Sequence, residues 1–307
     1  MANILTKAEA NTKTVLITGG TGYLGSRLIG KLIWLGFRVA VLKRQTSSVS
    51  LIKSKKNLKF FDIEDGISIP FEVLESLYIV IHTATCYGRM GEKENDIMST
   101  NFHLPKKILD LCNKHNTPLF FNCDTSLPSK ANSYAKYKKL FRSHALENAN
   151  KRKVRFVNMQ LEYFYGPFES ETKLPALIIK SCLHQRERLS LSPGNQVRDF
   201  IHIDDVLSAF SQVIINIENY KNNFFLEYQV GLGHPCTVKK FAKTIKRLSN
   251  SSIRLDFGAV PYRPNEIMKS VADNKSLKEV GWSPLYNIEN GLQKVISDEK
   301  GSARKLP

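Results

Sequence analysis

The chain has 307 residues, 42% of them hydrophobic, and a formal charge of +17 at neutral pH. That length is enough for one large core, or a core plus a smaller lobe. No apolar run approaches the roughly 20 residues that span a bilayer, and the amino end lacks a secretory apolar segment, so a cytoplasmic protein with no membrane partner is expected.

Five cysteines, Cys86, Cys112, Cys123, Cys182 and Cys236, form no C-x-x-C pair and are odd in number. They indicate neither a disulfide framework nor a zinc site, and reduced, mostly buried thiols without a metal are expected. The excess charge is scattered over clusters such as "KSKKNLK", "KYKK", "KRK" and "KKFAKTIKR". A solvated basic surface accounts for this, as does attraction of anionic small molecules. A nucleic-acid partner is not expected, because no aromatic-basic ribonucleoprotein motif, zinc finger or basic zipper is present.

In chain order, residues 1–12 read as a disordered amino end, and "TVLIT" as a buried parallel strand. A glycine-rich turn and a helix, "YLGSRLIGKLIWLG", follow. Gly19, Gly22 and Gly25 make a G-x-x-G-x-x-G pattern that allows a tight turn, close backbone approach to a pyrophosphate, and close packing of helix on strand. The helix N-terminus then faces the phosphates, with Thr21, Tyr23 and Leu24 beside them. The second strand, "RVAVL", ends at Lys43 and Arg44, where an NAD-selective site normally has a carboxylate. Cations there suit a 2′-phosphate, so NADPH is favoured over NADH, unless both merely cap the strand in solvent.

"LKFFDI", "YIVIHTAT", "PLFFNC" and "VRFVNMQL" read as further strands, separated by helical stretches near 96–115 and 132–150. This alternation predicts an α/β fold of the Rossmann type, a doubly wound parallel sheet with helices on both faces. Ligands bind at the carboxyl ends of such strands. Asp62 and Ile63 are therefore placed near adenine, Thr83, Ala84 and Thr85 on the nicotinamide side, and Leu161 at the end of the sixth strand. His82, at a strand end, reads as structural.

In "SYAKYKK", Tyr134 and Lys138 lie one helical turn apart and share a face. A lysine cation beside a phenol is expected to lower its pKa and ease proton transfer near neutrality. No other tyrosine of the chain is followed by lysine at that spacing. Upstream, "NCDTSLP" offers hydroxyls at Thr125 and Ser126 for the reacting oxygen. The carboxyl-terminal part reads as a smaller substrate-binding lobe. In it, "RDFIHIDDVLSAF" is a strand and a helix opening at Asp204 and Asp205. The boundaries read as a dinucleotide-binding domain over 13–165, to which a segment near 200–230 returns, a lobe over 166–297, and a flexible tail over 298–307.

Together "TGGTGYLG", the tyrosine–lysine pair and "RDFIHIDDV" resemble the extended short-chain dehydrogenase/reductase family, which acts on nucleotide sugars, over about residues 13–297. "HTATCYGR", "FFNCDTSLP", "LEYFYGPF", "QVRDFIHIDDV" and "FGAVPYRPNEIMKSVADNKSLKEVGW" are most similar to its reductases that complete CDP-3,6-dideoxyhexoses for O-antigen synthesis. The resemblance implies that Tyr134 donates a proton and that Lys138 binds the nicotinamide ribose and tunes the tyrosine. It implies that Arg198 and Arg263 hold the diphosphate of CDP, a role suited to guanidinium groups, and that Tyr87 and Arg89 line the sugar pocket. The position where many members carry the catalytic hydroxyl falls on Cys123, which leaves Thr125 as the candidate. The implied reaction is NADPH-dependent reduction of the C4 ketone of a CDP-4-dehydro-3,6-dideoxyhexose, giving CDP-paratose or its C4 epimer CDP-abequose, in a homodimer. The alternatives are an epimerase or dehydratase of the same fold, although "CDTSL" supplies only Asp124 where dehydratases carry an acidic pair, and a non-catalytic NADP-binding sensor.

Overall fold

The computed structural model of the protein describes residues 5–52 and 57–303, apart from the side chains of Ser302 and Ala303; residues 53–56, in the basic cluster "KSKKNLK", lie outside it. The chain forms two units. The first comprises residues up to Gln160 with Ala209–Tyr228 and Glu279–Gly281; the second comprises Leu161–Ser208, Gln229–Lys278 and the chain from Trp282 on.

In the first unit, seven strands join in one sheet: β1 (Thr14–Thr18), β2 (Arg38–Lys43), β3 (Leu58–Asp62), β4 (Leu77–His82), β5 (Leu119–Thr125), β6 (Arg155–Leu161) and the strand Phe225–Val230. From one edge the order is Phe225–Val230, β6, β5, β4, β1, β2, β3. The pairs β1–β2, β2–β3, β1–β4 and β4–β5 are parallel. The strand order therefore reverses at β1, between β2 and β4, which opens a crevice at their carboxyl ends.

Six helices of this unit precede β6: α1 (Lys7–Asn11), α2 (Tyr23–Trp34), α3 (Ile69–Val73), α4 (Glu94–Met98), α5 (Leu104–Lys114) and α6 (Ser133–Ala149). Leu16, Leu42, Val80, Phe120 and Phe156 face Ile108 and Leu109 of α5 and Phe141 and Ala145 of α6 in one core cluster. On the other face Phe121 meets Phe210, with ring centroids 6.5 Å apart. Cover on both faces explains why all five residues of β1 are buried and why the strands read as continuous apolar runs. The stretch expected to be helical near 96–115 runs as α4, one π turn at Ser99–His103, and α5. Pro105, in the first turn of α5, lacks the N–H that an unbroken α-helix would need there.

Both chain ends differ from the expectation of disorder. Thr6 and Glu9 form a reciprocal capping box on α1, Ala10 is buried, and Leu5 N–H donates to Ile215 O at 2.9 Å, so the expected disordered segment 1–12 is ordered from Leu5. The expected flexible tail continues a helix, Ile288–Ala303, in which Lys294 and Asp298 pair at 2.6 Å one turn apart. Residues 1–4 and 304–307 lie outside the described residues.

The second unit has three two-stranded pairings: Tyr163–Tyr165 parallel to Phe200–His202, Val197–Arg198 antiparallel to Cys236–Thr237, and Arg188–Leu191 parallel to Arg254–Phe257. Its core gathers Tyr165, Ile178, Phe200, Phe241, Ile245, Leu292 and Val295. Phe200 and Phe241 stack with centroids 3.8 Å apart. The acidic pair opening the helix Ile203–Asn216 divides its work: buried Asp205 accepts from the N–H groups of Leu285 at 2.7 Å and Tyr286 at 3.2 Å, while Asp204 stays outside. Among the described residues no helix is long and apolar enough to cross a membrane.

Candidate active site

The glycine turn is built against the loop that follows β4. Gly19 has φ +68°, and a Cβ there would lie 2.5 Å from Ala84 N; a Cβ on Gly25 would lie 2.3 Å from Gly19 O. These two glycines are therefore required by the chain itself. Thr83 completes the seam, its N–H and its hydroxyl both donating to Thr18 O, at 3.0 and 2.7 Å. Gly22 differs, because the nearest atom to a Cβ is Gly19 O at 3.3 Å. It caps α2 in extended conformation without a side-chain bond, which keeps room at a helix N-terminus whose N–H donors and dipole favour an anion. Thr21, Tyr23 and Leu24 lie in this turn and the first helical turn, with the Arg27 guanidinium 3.7 Å from the Tyr23 ring centroid. The residues present fit the phosphates of a dinucleotide.

At the end of β2 the two expected cations are differently placed. Lys43 lies opposite Asp62 across β2–β3 and forms an ion pair with it, while Arg44 is exposed. Ile63 N–H donates to Lys43 O at 2.8 Å. The sequence assigns Lys43 and Asp62 to different parts of the nucleotide. They meet because the parallel register brings residues 19 apart in sequence to one rung. Leu161, at the end of β6, is buried.

The proton-transfer residues converge where β5 ends and α6 begins. Asn132 caps α6 by accepting from Ala135 N–H at 2.9 Å, which places Tyr134 in the first turn. The Thr125 side chain lies close enough to the Tyr134 phenol to lower its pKa. The Tyr87 ring stands 5.0 Å from that of Tyr134, and the Arg89 guanidinium 5.2 Å from the Tyr87 ring. Thr125, Tyr134, Tyr87 and Arg89, named from separate stretches of sequence, are thus brought together. Buried Asn101 holds the Tyr87 loop: its amide donates to Cys86 O at 2.7 Å and Ile97 O at 2.9 Å, and its oxygen accepts from Cys86 N–H at 3.3 Å. No signal in the sequence marks it.

Lys138 is fully buried and donates to Cys123 O at 2.9 Å. The expected lowering of the phenol is reversed. Burial first, then Tyr87, push Tyr134 well above the ordinary tyrosine value, against the opposing influence of Thr125. Burial likewise pulls Lys138 below the usual lysine value. Spacing on a helix predicts that the lysine acts on the phenol, but the Lys138 ammonium is turned to Cys123 O and is not among the groups that shift Tyr134 most, so desolvation of the phenolate prevails. His82 is buried with Nδ1 2.8 Å from Thr18 Oγ1, and burial, then Lys138, hold its pKa well below normal, so it is neutral and structural. Burial pushes the Cys123 thiol up to about 12, which rules it out as a thiolate near neutrality.

In the second unit Arg198 is not the open cation the sequence leads one to expect. Its side chain is 3% exposed and pairs with Glu266 at 2.5 Å, with a second bond to Val197 O at 2.9 Å. Arg263 is exposed on the turn that Glu266 N–H closes by donating to Arg263 O at 3.1 Å. The bridge pairing Val197 with Lys269 explains why the "VRDF" and "YRPNE" segments meet. Asp199 is structural: it accepts from the N–H groups of Leu232, Gly233 and Ala272 at 3.0, 2.8 and 3.1 Å.

A glycine turn at the switch point of a doubly wound sheet, with a tyrosine beside a threonine at the end of the fifth strand, describes a dehydrogenase-like fold. The sequence matches the NAD dependent epimerase/dehydratase family over residues 15–231, and the chain belongs to that family. It is 32% identical to CDP-abequose synthase of Salmonella typhimurium over 298 residues, 92% of this chain and 97% of that protein. It is 26% identical to ADP-L-glycero-D-manno-heptose-6-epimerase of Brachyspira hyodysenteriae, over 91% of this chain and 96% of that protein. The fold is similar to the crystal structure of Thermus thermophilus UDP-glucose 4-epimerase in complex with NAD, with a TM-score of 0.81 at 19% identity over 94% of this chain and 99% of that one.

Proposed function

We propose that the protein is an NADPH-dependent 4-ketoreductase of a CDP-4-dehydro-3,6-dideoxyhexose, yielding CDP-paratose or CDP-abequose. The observation that carries this reading is the Tyr134 phenol set beside Thr125 and 5.0 Å from the Tyr87 ring, in a chain 32% identical to a CDP-abequose synthase. Bound NADPH supplies the hydride that attacks the C4 carbonyl.

The residues of this chain do the rest. Tyr134, kept protonated by its raised pKa, donates a proton to the ketone oxygen as charge develops on it. Thr125, with a single hydroxyl proton, donates it to the same ketone oxygen once substrate is bound. Lys138, buried with its ammonium on Cys123 O, would turn from that carbonyl to meet the nicotinamide ribose, and Gly22 with the α2 N-terminus would hold the pyrophosphate. Arg44 is the cation for the 2′-phosphate, with Lys43 shared between that phosphate and Asp62. Tyr87 and Arg89 line the sugar. Arg263 and Arg198 take the CDP diphosphate, Arg198 by exchanging Glu266 for phosphate oxygens. Assembly as a homodimer belongs to the same reading.

The test is incubation with the CDP-4-keto sugar and NADPH, following loss of reduced-nicotinamide absorbance and identifying the product epimer by NMR. Stoichiometric oxidation of NADPH is expected; no oxidation overturns the proposal. The heptose 6-epimerase likeness favours the alternative, an epimerase retaining its coenzyme. That reading requires product formation without net NADPH consumption.

A further inference from the structure

We propose that Asp124 and Lys139 are positioning residues, which together fix Thr125 in its place beside the Tyr134 phenol. This rests on the ketoreductase reading of Tyr134.

The pair takes up the main chain of Thr125 on both sides. Asp124 Oδ1 accepts from Thr125 N–H at 2.7 Å, and Oδ2 accepts from Lys139 Nζ at 2.9 Å. The same ammonium donates to Thr125 O at 2.5 Å. Leu127 N–H donates to Thr125 Oγ1 at 3.2 Å, so the N–H, the C=O and the hydroxyl oxygen of this threonine each have a defined partner, beside the Tyr134 phenol whose pKa its side chain lowers. Lys138 and Lys139, consecutive on α6, thus hold Cys123, Asp124 and Thr125, consecutive on β5.

The Asp124 carboxylate is itself braced from behind. Its side chain is 0% exposed, and Asn158 Nδ2 donates to Oδ2 at 3.0 Å. Asn158 also accepts from Asn122 Nδ2 at 2.8 Å and donates to Glu227 at 2.9 Å. Arg142, one turn past Lys138 on α6, grips Glu227 with two bonds of 2.5 and 2.8 Å. The network therefore leaves α6 at Lys139 and returns to it at Arg142.

Stability alone is a poor reason for such an arrangement. Burying a carboxylate costs several kcal/mol before pairing, and apolar residues of similar volume often serve as well or better. Geometry is a better reason, since misplacing a reacting group by about 1 Å can cost about a hundredfold in rate. The negative charge of Asp124 also acts on both neighbours in the useful sense, raising Tyr134 and opposing the fall in Lys138.

The test uses Asp124→Ala, Asp124→Asn, Lys139→Met and Lys139→Arg in the full chain, each checked for folding by circular dichroism. Asp124→Ala and Lys139→Met are expected to lower kcat roughly 10- to 100-fold with KM for both substrates within about threefold, and Lys139→Arg to recover most of the loss. Asp124→Asn keeps an acceptor for Thr125 N–H and is expected to fall between, which covers the case in which the alanine variant does not fold. Because Asp124 acts through Thr125, the double variant Asp124→Ala/Thr125→Ala should be within about twofold of Thr125→Ala alone. Losses that multiply, or parental kcat in a folded Asp124→Asn protein, overturn the proposal. A second readout needs no substrate: the ¹³C-tyrosine NMR resonance of Tyr134, assigned through Tyr134→Phe, should move in Asp124→Asn and Lys139→Met. An unmoved resonance sinks the positioning role. A moved resonance in a protein that does not turn over the CDP-keto sugar sinks the ketoreductase reading alone.

Discussion

Lys138 extends its ammonium to the main-chain carbonyl of Cys123 at 2.9 Å, one helical turn below Tyr134. Burial depresses the lysine and raises the tyrosine, so at neutral pH both carry the protons that a reduction needs, and on raising the pH the lysine is the first to lose its own. Reductive kcat is therefore expected to be level around neutrality. It should decline on the alkaline side at a pH below the usual lysine value of about 10.4. Lys138→Arg should move that limb upward. A profile falling through neutrality as a phenol titrates would contradict the site described above.

Tyr134→Phe is expected to lower turnover by about two to four orders of magnitude while leaving NADPH binding nearly intact. The ring contact with Tyr87 survives the substitution, so only the hydroxyl is removed. Steady-state rates and coenzyme titration by fluorescence decide it; a rate within a few-fold of the parent rules out this donor.

Arg44→Ala should weaken NADPH about tenfold or more and NADH little, as loss of one phosphate-binding cation does. Lys43→Ala should discriminate less, because it also leaves Asp62 without its partner. Equal effects of Arg44→Ala on the two coenzymes, measured by calorimetry, would count against NADPH selectivity.

Asp205 makes the second unit sensitive to pH. Burial raises its pKa from 3.8 to about 6 despite two backbone donors. A raised carboxyl pKa means that the native state holds a proton the unfolded chain has already lost, so this group's contribution to stability falls as pH rises from about 4 to about 6. The change is a few kcal/mol at most, since each pKa unit corresponds to about 1.4 kcal/mol. Asp205→Asn is expected to flatten the dependence of urea midpoint on pH across that window; an unchanged slope would show that another group governs it.

Much of the fold was legible because its signals are local. The apolar runs of β1, β2 and β4 are continuous since both sheet faces are covered, and the outer glycines of the turn are demanded by contacts with Ala84 and with Gly19 itself. The strand Phe225–Val230 alternates between partly and fully buried positions, a weaker pattern than those continuous runs, and its sequence gives no distinct signal. The short strand Tyr163–Tyr165 lies within a motif that speaks only through its resemblance. Of the site, Tyr134, Thr125, Tyr87 and Arg89 could be named, but Asn101 and the charges around Asn158 could not. A buried polar residue is defined by partners that come from other strands and helices.

The sequence by itself determined the parallel sheet, the glycine turn and the placing of a tyrosine one helical turn before a lysine, because periodicity and spacing act over a few residues. Only the tertiary structure decided that Lys43 answers Asp62, that Arg198 answers Glu266, and that the Tyr134 phenol is raised rather than lowered. Ion pairs between distant residues depend on register and packing, and a pKa depends on how much water the folded chain excludes.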